Sequence, residues 1–237
     1  MSYEKIKIGL IREGKVPPDK RVPLTPNQCK KIESIYPNVE IIVQPSPVRA
    51  YLDSDYTAQG IKIDEDLTSC DIIMGVKEVN ISDLIPNKTF MFFSHTIKKQ
   101  PYNRGLLQAI IDKKIKLIDY EVLKNARNKR IIGFGRYAGI VGCYNGFLTY
   151  GLKHNLYELK PAHQCKNRNE VEEELKKVIL PKNAKISLTG FGRVGYGARE
   201  IIDLIQVKEV TGDEFLDKTF DEAVYTHIDV SEYYGRK

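Results

Sequence analysis

Three segments of the chain set ionisable side chains directly after apolar runs. Gly75-Val-Lys77-Glu78-Val79 ends one run with a lysine and a glutamate. Phe92-Phe-Ser-His95-Thr-Ile-Lys98 places one of only four histidines after another, and Leu117-Ile-Asp119-Tyr-Glu121 closes a third with two carboxylates. In open α/β sheets the carboxyl ends of the strands line the ligand crevice, so all three sets can converge at one mouth. Lysine with histidine suits acid–base work near neutral pH. Histidine titrates there unperturbed, whereas lysine must be lowered by roughly 3 units, about 4 kcal/mol, through burial or neighbouring cations. Glu78 or Glu121 beside it would push that lysine back up, so the carboxylates tune the pair. Taken singly, a strand-end lysine is usually a solvated charge and a histidine after a strand a satisfied structural residue.

Arg21, between a polar loop and a helix start, and Arg130 are candidate clamps for a carboxylate. A planar guanidinium grips a carboxylate through two parallel hydrogen bonds, which lysine cannot do. Alone, either is more often a surface arginine.

A second kind of chemistry appears late in the chain. Lys185–Thr189 reads as a strand and runs into Gly190-Phe-Gly192-Arg-Val-Gly195, with Ala198, Ile201, Ile202 and Ile205 at helical spacing beyond it. Strand, G-x-G-x-x-G turn and helix opening together form the dinucleotide fingerprint. The first glycine makes the turn, the second admits a pyrophosphate and the third lets helix and strand approach closely. A glycine-rich turn that binds nothing is the competing reading.

These residues need elements to position them. Lys5–Ile11 and Val39–Val43 read as strands, and between them Thr25-Pro26-Asn27-Gln28 announces a capped helix running to about Tyr36. Ile72–Val76, Thr89–Phe93, Lys116–Asp119 and Arg130–Phe134 read as further strands, with a helix at Arg104–Lys113. Strands alternating with helices imply a parallel α/β sheet. Gly139–His154 is expected as a long helix, with Gly142 and Gly146 permitting close packing. Asn169 is expected to cap a helix over Glu170–Lys177, and a short strand over Val207–Val210 to be followed by an irregular tail. The expected architecture is α/β: an N-terminal Rossmann-like substrate domain over residues 1–137, then linker helices and the first part of a dinucleotide-binding (Rossmann) domain over 138–237. A full fold of that kind needs about six strands, so the nucleotide half reads as incomplete.

The formal charge of +6 and pI near 8.9 come from lysines interleaved with acids, as in Glu170–Lys177. No aromatic-interleaved basic motif accompanies them. A solvated basic surface is therefore favoured over a nucleic-acid partner, and anionic small substrates suit it. Cys29, Cys70, Cys143 and Cys165 lie far apart without metal-ligand spacing and read as free thiols in a reducing compartment. No apolar run approaches the ~20 residues of a membrane span, and the N-terminus has no signal-peptide core; a cytoplasmic location is expected.

In combination these segments are familiar. Ile8-Gly-Leu-Ile-Arg12-Glu13 with Lys20-Arg21-Val-Pro-Leu-Thr25-Pro26 resembles the opening of the alanine dehydrogenase/transhydrogenase superfamily. The segments at Phe92–Gln100, Leu117–Glu121 and Gly133–Gly139 narrow the resemblance to saccharopine dehydrogenases and the lysine–ketoglutarate reductase domain of aminoadipate-semialdehyde synthases. The resemblance implies an NAD(P)-linked oxidoreductase converting saccharopine reversibly to lysine and 2-oxoglutarate, without metal. It implies Lys77 and His95 as the acid–base pair, Arg21 and Arg130 as carboxylate ligands, and Glu78 and Glu121 as tuning acids. Lys98 and Gln100 match substrate-side positions, and Gly190, Gly192, Arg193, Val194 and Gly195 the cofactor turn. NAD is preferred to NADP, with Glu209 or Asp213 as the expected ribose-reading acid. Family chains are longer, so the chain reads as an N-terminal portion whose own activity is open. Another amino-acid dehydrogenase, such as alanine dehydrogenase, and a non-catalytic binding product are the alternatives.

Overall fold

The computed structural model describes residues 5–235; the first four residues, read above for a signal-peptide core, lie outside them. Short β-branched runs form parallel strands, and the segments between them form helices. The order is β1 (Ile6–Leu10), α1 (Pro26–Ile35), β2 (Val39–Val43), α2 (Asp53–Thr57), β3 (Lys62–Ile63), β4 (Ile72–Met74), β5 (Thr89–Phe92), α3 (Arg104–Asp112) and β6 (Lys116–Asp119). α1 starts as its sequence dictates. Thr25 N–H donates to Gln28 Oε1 at 2.8 Å, and Gln28 N–H to Thr25 Oγ1 at 3.4 Å, two orphan donors satisfied at once.

The six strands form one parallel sheet in the order β3-β2-β1-β4-β5-β6. β2 shows why it is apolar throughout. Ile42 enters a core with Ile73, Phe90, Phe92, Leu106 and Ile110, while its neighbours Ile41 and Val43 enter another with Leu10, Cys29 and Tyr56. Alternate side chains therefore meet cover on opposite faces, and each fully buried one contributes about 1.5–3 kcal/mol. The chain leaves β1 in one direction to build β2 and β3, and in the other to build β4, β5 and β6. The crevice at the β1/β4 carboxyl ends is a topological switch point, where such sheets bind ligands.

Arg130–Phe134 is not a strand. Arg130 forms an isolated antiparallel bridge with Lys124 rather than a strand. Asn125 Oδ1 accepts from the amides of Arg127 and Lys129, and Asn128 adopts φ 57°, so a local turn captures the backbone groups that a sheet would have used.

The chain divides into two compact units, Met1–Gly133 and Phe134–Lys237. The second contains α4 (Gly135–His154), α5 (Arg168–Leu175), β7 (Lys185–Thr189), α6 (Arg193–Leu204), β8 (Lys208–Glu209), α7 (Gly212–Asp217), β9 (Val224–Ile228) and α8 (Val230–Tyr233). α4 begins a turn earlier than expected, and its close packing is not at Gly142 or Gly146, which face open space. Gly139 and Gly197 make it instead. A Cβ on Gly139 would lie 1.9 Å from Val194 O, and one on Gly197 2.0 Å from Arg136 O, so the α4 and α6 backbones touch. Asn167, rather than Asn169, caps α5, accepting from Glu170 N–H at 3.2 Å. Tyr144, Phe147, Leu175, Ile201, Ile202 and Tyr225 form the core.

The expected irregular tail is the larger correction. It supplies β9, the central strand of a parallel sheet ordered β7-β9-β8. Val224, Tyr225, Thr226 and His227 are all buried there. Its aspartates and tyrosines made the tail read as irregular, yet the β-branched and aromatic residues at Val224–Ile228 suit a pleated surface. Among the described residues no helix is long and apolar enough to cross a membrane.

Candidate active site

The ionisable residues that follow β4, β5 and β6 meet. His95, first residue of the turn after Phe92-Phe-Ser94, has φ 55°, a left-handed conformation uncommon for a non-glycine residue and frequent at functional sites. The short 3₁₀ turn that follows, Thr96–Lys98, folds Lys98 back onto the ring. Lys77 Nζ lies 3.4 Å from His95 Nε2. On the other side of the ring, Nδ1 is 2.9 Å from Glu121 Oε2 and 3.1 Å from Lys98 Nζ. A carboxylate only accepts, so the proton of the neutral ring belongs on Nδ1 and donates to Glu121. Nε2 is then the bare nitrogen, accepting from Lys77. Lys98 is bound to Glu121 Oε1 at 3.2 Å.

Carboxylates surround the pair. Glu78 Oε1 stands 3.8 Å from His95 Nε2, and its Oε2 accepts from Lys15 Nζ at 3.2 Å. Burial raises the Glu121 carboxyl, but hydrogen bonds from His95 and Lys98 outweigh it and leave the group below its ordinary value. Arg130 Nη2 is 3.5 Å from Glu121 Oε1, and its guanidinium lies 5.9 Å from the centre of the Phe93 ring. Phe93 in turn stacks on His95, with ring planes 24° apart.

Two acids hold this arrangement from beneath, and only one of them was visible as a candidate. Asp119 is buried; it accepts from Ser94 Oγ–H at 2.5 Å and from Glu121 N–H at 2.8 Å, tying the end of β5 to that of β6. Glu13, just past β1, accepts from the amides of Val76 and Lys77 at 2.6 and 2.8 Å. It therefore spans the β1/β4 crevice and fixes the backbone of Lys77. Burial pushes its carboxyl up, although both amide bonds pull the other way. Its role had one sequence signal, a glutamate at the carboxyl end of the first strand.

Arg21 is gripped by Asp19, Nε to Oδ1 at 2.9 Å and Nη2 to Oδ2 at 2.5 Å. That bond holds Asp19 below the usual carboxylate range. Asp19 was not foreseen. The charges of both residues act on Glu13, and that of Lys77 acts on Asp19, so the ion pair borders the same crevice. Gln100 stands apart from the pair: it is exposed, and its Oε1 accepts from Tyr102 Oη–H at 2.9 Å.

In the second unit, β7 delivers Gly190 with φ 86° and α6 begins after Gly192. The first bond inside α6 is Tyr196 N–H to Gly192 O at 3.0 Å, so the amides of Arg193, Val194 and Gly195 precede it at the positive end of the helix. A Cβ on Gly195 would lie 1.9 Å from Gly190 O, whereas one on Gly192 would meet nothing within 4 Å. Gly195 thus closes the helix onto the turn, and Gly192 keeps the approach open. These residues fit a pyrophosphate. The cysteines are free, and burial pushes the Cys29 and Cys143 thiols up to about 12, which leaves them poor nucleophiles at neutral pH.

The family model of the alanine dehydrogenase/PNT N-terminal domain matches residues 9–141, more than half of the chain. Bovine mitochondrial alpha-aminoadipic semialdehyde synthase is 31% identical over 95% of the chain, which spans 27% of that relative's length. The saccharopine dehydrogenase (NAD(+), L-lysine-forming) of Yarrowia lipolytica is 24% identical over 86% of the chain, which spans 58% of its length. An L-alanine dehydrogenase structure superposes with a TM-score of 0.64 at 15% identity, covering 96% of this chain and 62% of that one; it shares the fold.

Proposed function

Since the chain belongs to the alanine dehydrogenase/PNT N-terminal domain family, we propose that it is a saccharopine dehydrogenase-like oxidoreductase of lysine metabolism. The proposed reaction interconverts saccharopine with lysine and 2-oxoglutarate, using NAD in preference to NADP. The carrying observation is the Lys77–His95 contact, with Glu78 and Glu121 beside it at a topological switch point. The names of the bovine and yeast relatives support the substrate class.

The chemistry fits the side chains. Removing a hydride from the neutral secondary amine leaves a protonated imine, and the nicotinamide supplies the hydride acceptor when bound. Gly190, Gly192 and Gly195, with the amides of Arg193 and Val194, would hold its pyrophosphate. Hydrolysis of the imine then needs a base for water and an acid for the departing nitrogen. Because Glu121 keeps a proton on Nδ1, Nε2 of His95 is free to take one from water. The carbinolamine nitrogen already carries the proton of the protonated imine; Lys77 gives it a second and regains one from His95 across their contact. The hydroxyl proton shed as the carbonyl forms leaves to solvent as the one net proton of the reaction, so the pair ends as it began. Glu78 and Glu121 offset the charge that builds on it. Arg21 and Arg130, with Lys98 and Gln100 at the rim, face the carboxylates of the substrate, exchanging Asp19 or Glu121 for them. A cytoplasmic setting is in keeping with the free cysteines.

The test compares NADH oxidation by the chain with two substrate pairs. Turnover with lysine and 2-oxoglutarate is expected. Turnover with pyruvate and ammonia alone would overturn the reading in favour of an alanine dehydrogenase.

A further inference from the structure

The sheet order of the second unit singles out one acid near the glycine turn. The first crossover leaves β7 through α6 and arrives at β8, but β8 does not pair with β7. β9 is inserted between them. It runs parallel to β7 with Thr189 opposite Ile228, and Gly190 N–H donates to Ile228 O at 2.8 Å. In dinucleotide folds the adenosine ribose is read by an acid at the carboxyl end of the strand beside the glycine strand, on the side the first crossover takes. Here that strand end is Ile228-Asp229. We propose that Asp229 reads the adenosine ribose and sets the choice between NAD and NADP, in place of the Glu209 or Asp213 that spacing suggested. This rests on the reading of the Gly190 turn as a nicotinamide-dinucleotide site.

Three observations carry it. First, His227 and Asp229 lie two residues apart on extended backbone, Asp229 having φ −83° and ψ 163°, so their side chains leave the same face. His227 shows where that face points. Its ring stacks on Phe191 of the glycine turn with centroids 4.0 Å apart, and Nε2–H donates to Gly190 O at 2.8 Å. His227 is only 8% exposed, and its Nδ1 is buried without a partner. Second, Asp229 keeps an oxygen available. Oδ1 accepts from Ser231 N–H and Oγ–H at 3.3 and 3.2 Å, while Oδ2 accepts from none of the described residues. Third, Glu209 is on the outer strand and is occupied by Arg199 at 2.5 Å; Asp213 is in the first turn of α7. A carboxylate at Asp229 would accept from the ribose hydroxyls and repel a 2′-phosphate.

Equilibrium binding of NADH and NADPH to the full chain, followed by nucleotide fluorescence, tests this. The wild type should favour NADH by at least about tenfold, and Asp229→Asn, which can still cap Ser231, should reduce that ratio at least about tenfold without lowering Tm. Asp229→Ser also caps and should give the same shift, whereas Glu209→Gln and Asp213→Asn should leave the ratio unchanged. An unchanged ratio in both Asp229 variants, or a collapse caused by Glu209→Gln or Asp213→Asn, overturns the assignment. If the wild type binds both nucleotides equally, the ribose assignment alone is wrong. If it binds neither, the reading of the turn is wrong and this one goes with it.

Discussion

Nζ of Lys77 lies 3.4 Å from Nε2 of His95, and the opposite nitrogen of that ring is 2.9 Å from Glu121. The ring is thereby polarised, with its proton anchored at one end and its lone pair presented to an ammonium at the other. Neither lysine nor histidine could be assigned a direction of proton transfer without the carboxylate.

Glu121→Gln tests that polarity. The amide keeps the size of the side chain but cannot hold the Nδ1 proton as a carboxylate does. It also leaves His95, Lys98 and Arg130 without their shared counter-charge. We expect kcat for saccharopine oxidation to fall about 10- to 100-fold, and the acid limb of the pH–rate profile to move to lower pH. A profile that superposes on the wild type would show that Glu121 does not orient the ring.

The two glycines of the cofactor turn should fail differently. Gly195→Ala forces a Cβ to within 1.9 Å of Gly190 O, so it should cost about 2 kcal/mol or more and lower Tm by several degrees. Gly192→Ala meets open space in the folded chain, so its Tm should change by only about 1–2 °C. It should nevertheless weaken NADH binding at least about tenfold, because the new methyl group occupies the pyrophosphate approach. Equal loss of stability in both variants, read by thermal denaturation, would remove the distinction.

The residues legible in advance were those whose position follows from strand ends alone. Lys77, Glu78, His95 and Glu121 each follow an apolar run, and parallel strands bring their carboxyl ends to one edge. Glu13 carried the same strand-end signal, but its role did not follow from it, because it acts on amides more than sixty residues away. Asp19 carried no signal, because what it does depends on the side chain of Arg21. Arg130 was assigned to a strand because Ile131 and Ile132 suggested one, and the Asn125 turn overrode that propensity. β9 was hidden for the opposite reason. Its buried Thr226 and His227 look like loop residues until the hydrogen bond of His227 to Gly190 O accounts for one of them.

Stability of the second unit should respond to acid through Glu200. Hydrogen bonds from Arg136 on α4 and Arg168, at the start of α5, lower its pKa from 4.5 to about 2. A depressed carboxyl contributes stability above its unfolded pKa and loses it as pH falls through the folded value. The loss should therefore fall between pH 4.5 and about 2. With a partly exposed, solvent-screened network the contribution is about 1 kcal/mol, or a few degrees in Tm. Glu200→Gln should lower Tm at neutral pH and flatten its decline in that window; an equally steep decline would assign the acid sensitivity elsewhere.

Saccharopine-dependent reduction of NAD by the wild type and by Lys77→Met, in parallel, tests the central claim most directly. Methionine keeps the unbranched stem of lysine without its ammonium group. The wild type should turn over, and Lys77→Met should lose at least about 10²-fold in kcat while its circular dichroism and NADH affinity stay as in the wild type. Undiminished turnover in the Lys77→Met chain would contradict the assignment of Lys77 and His95 as the acid–base pair.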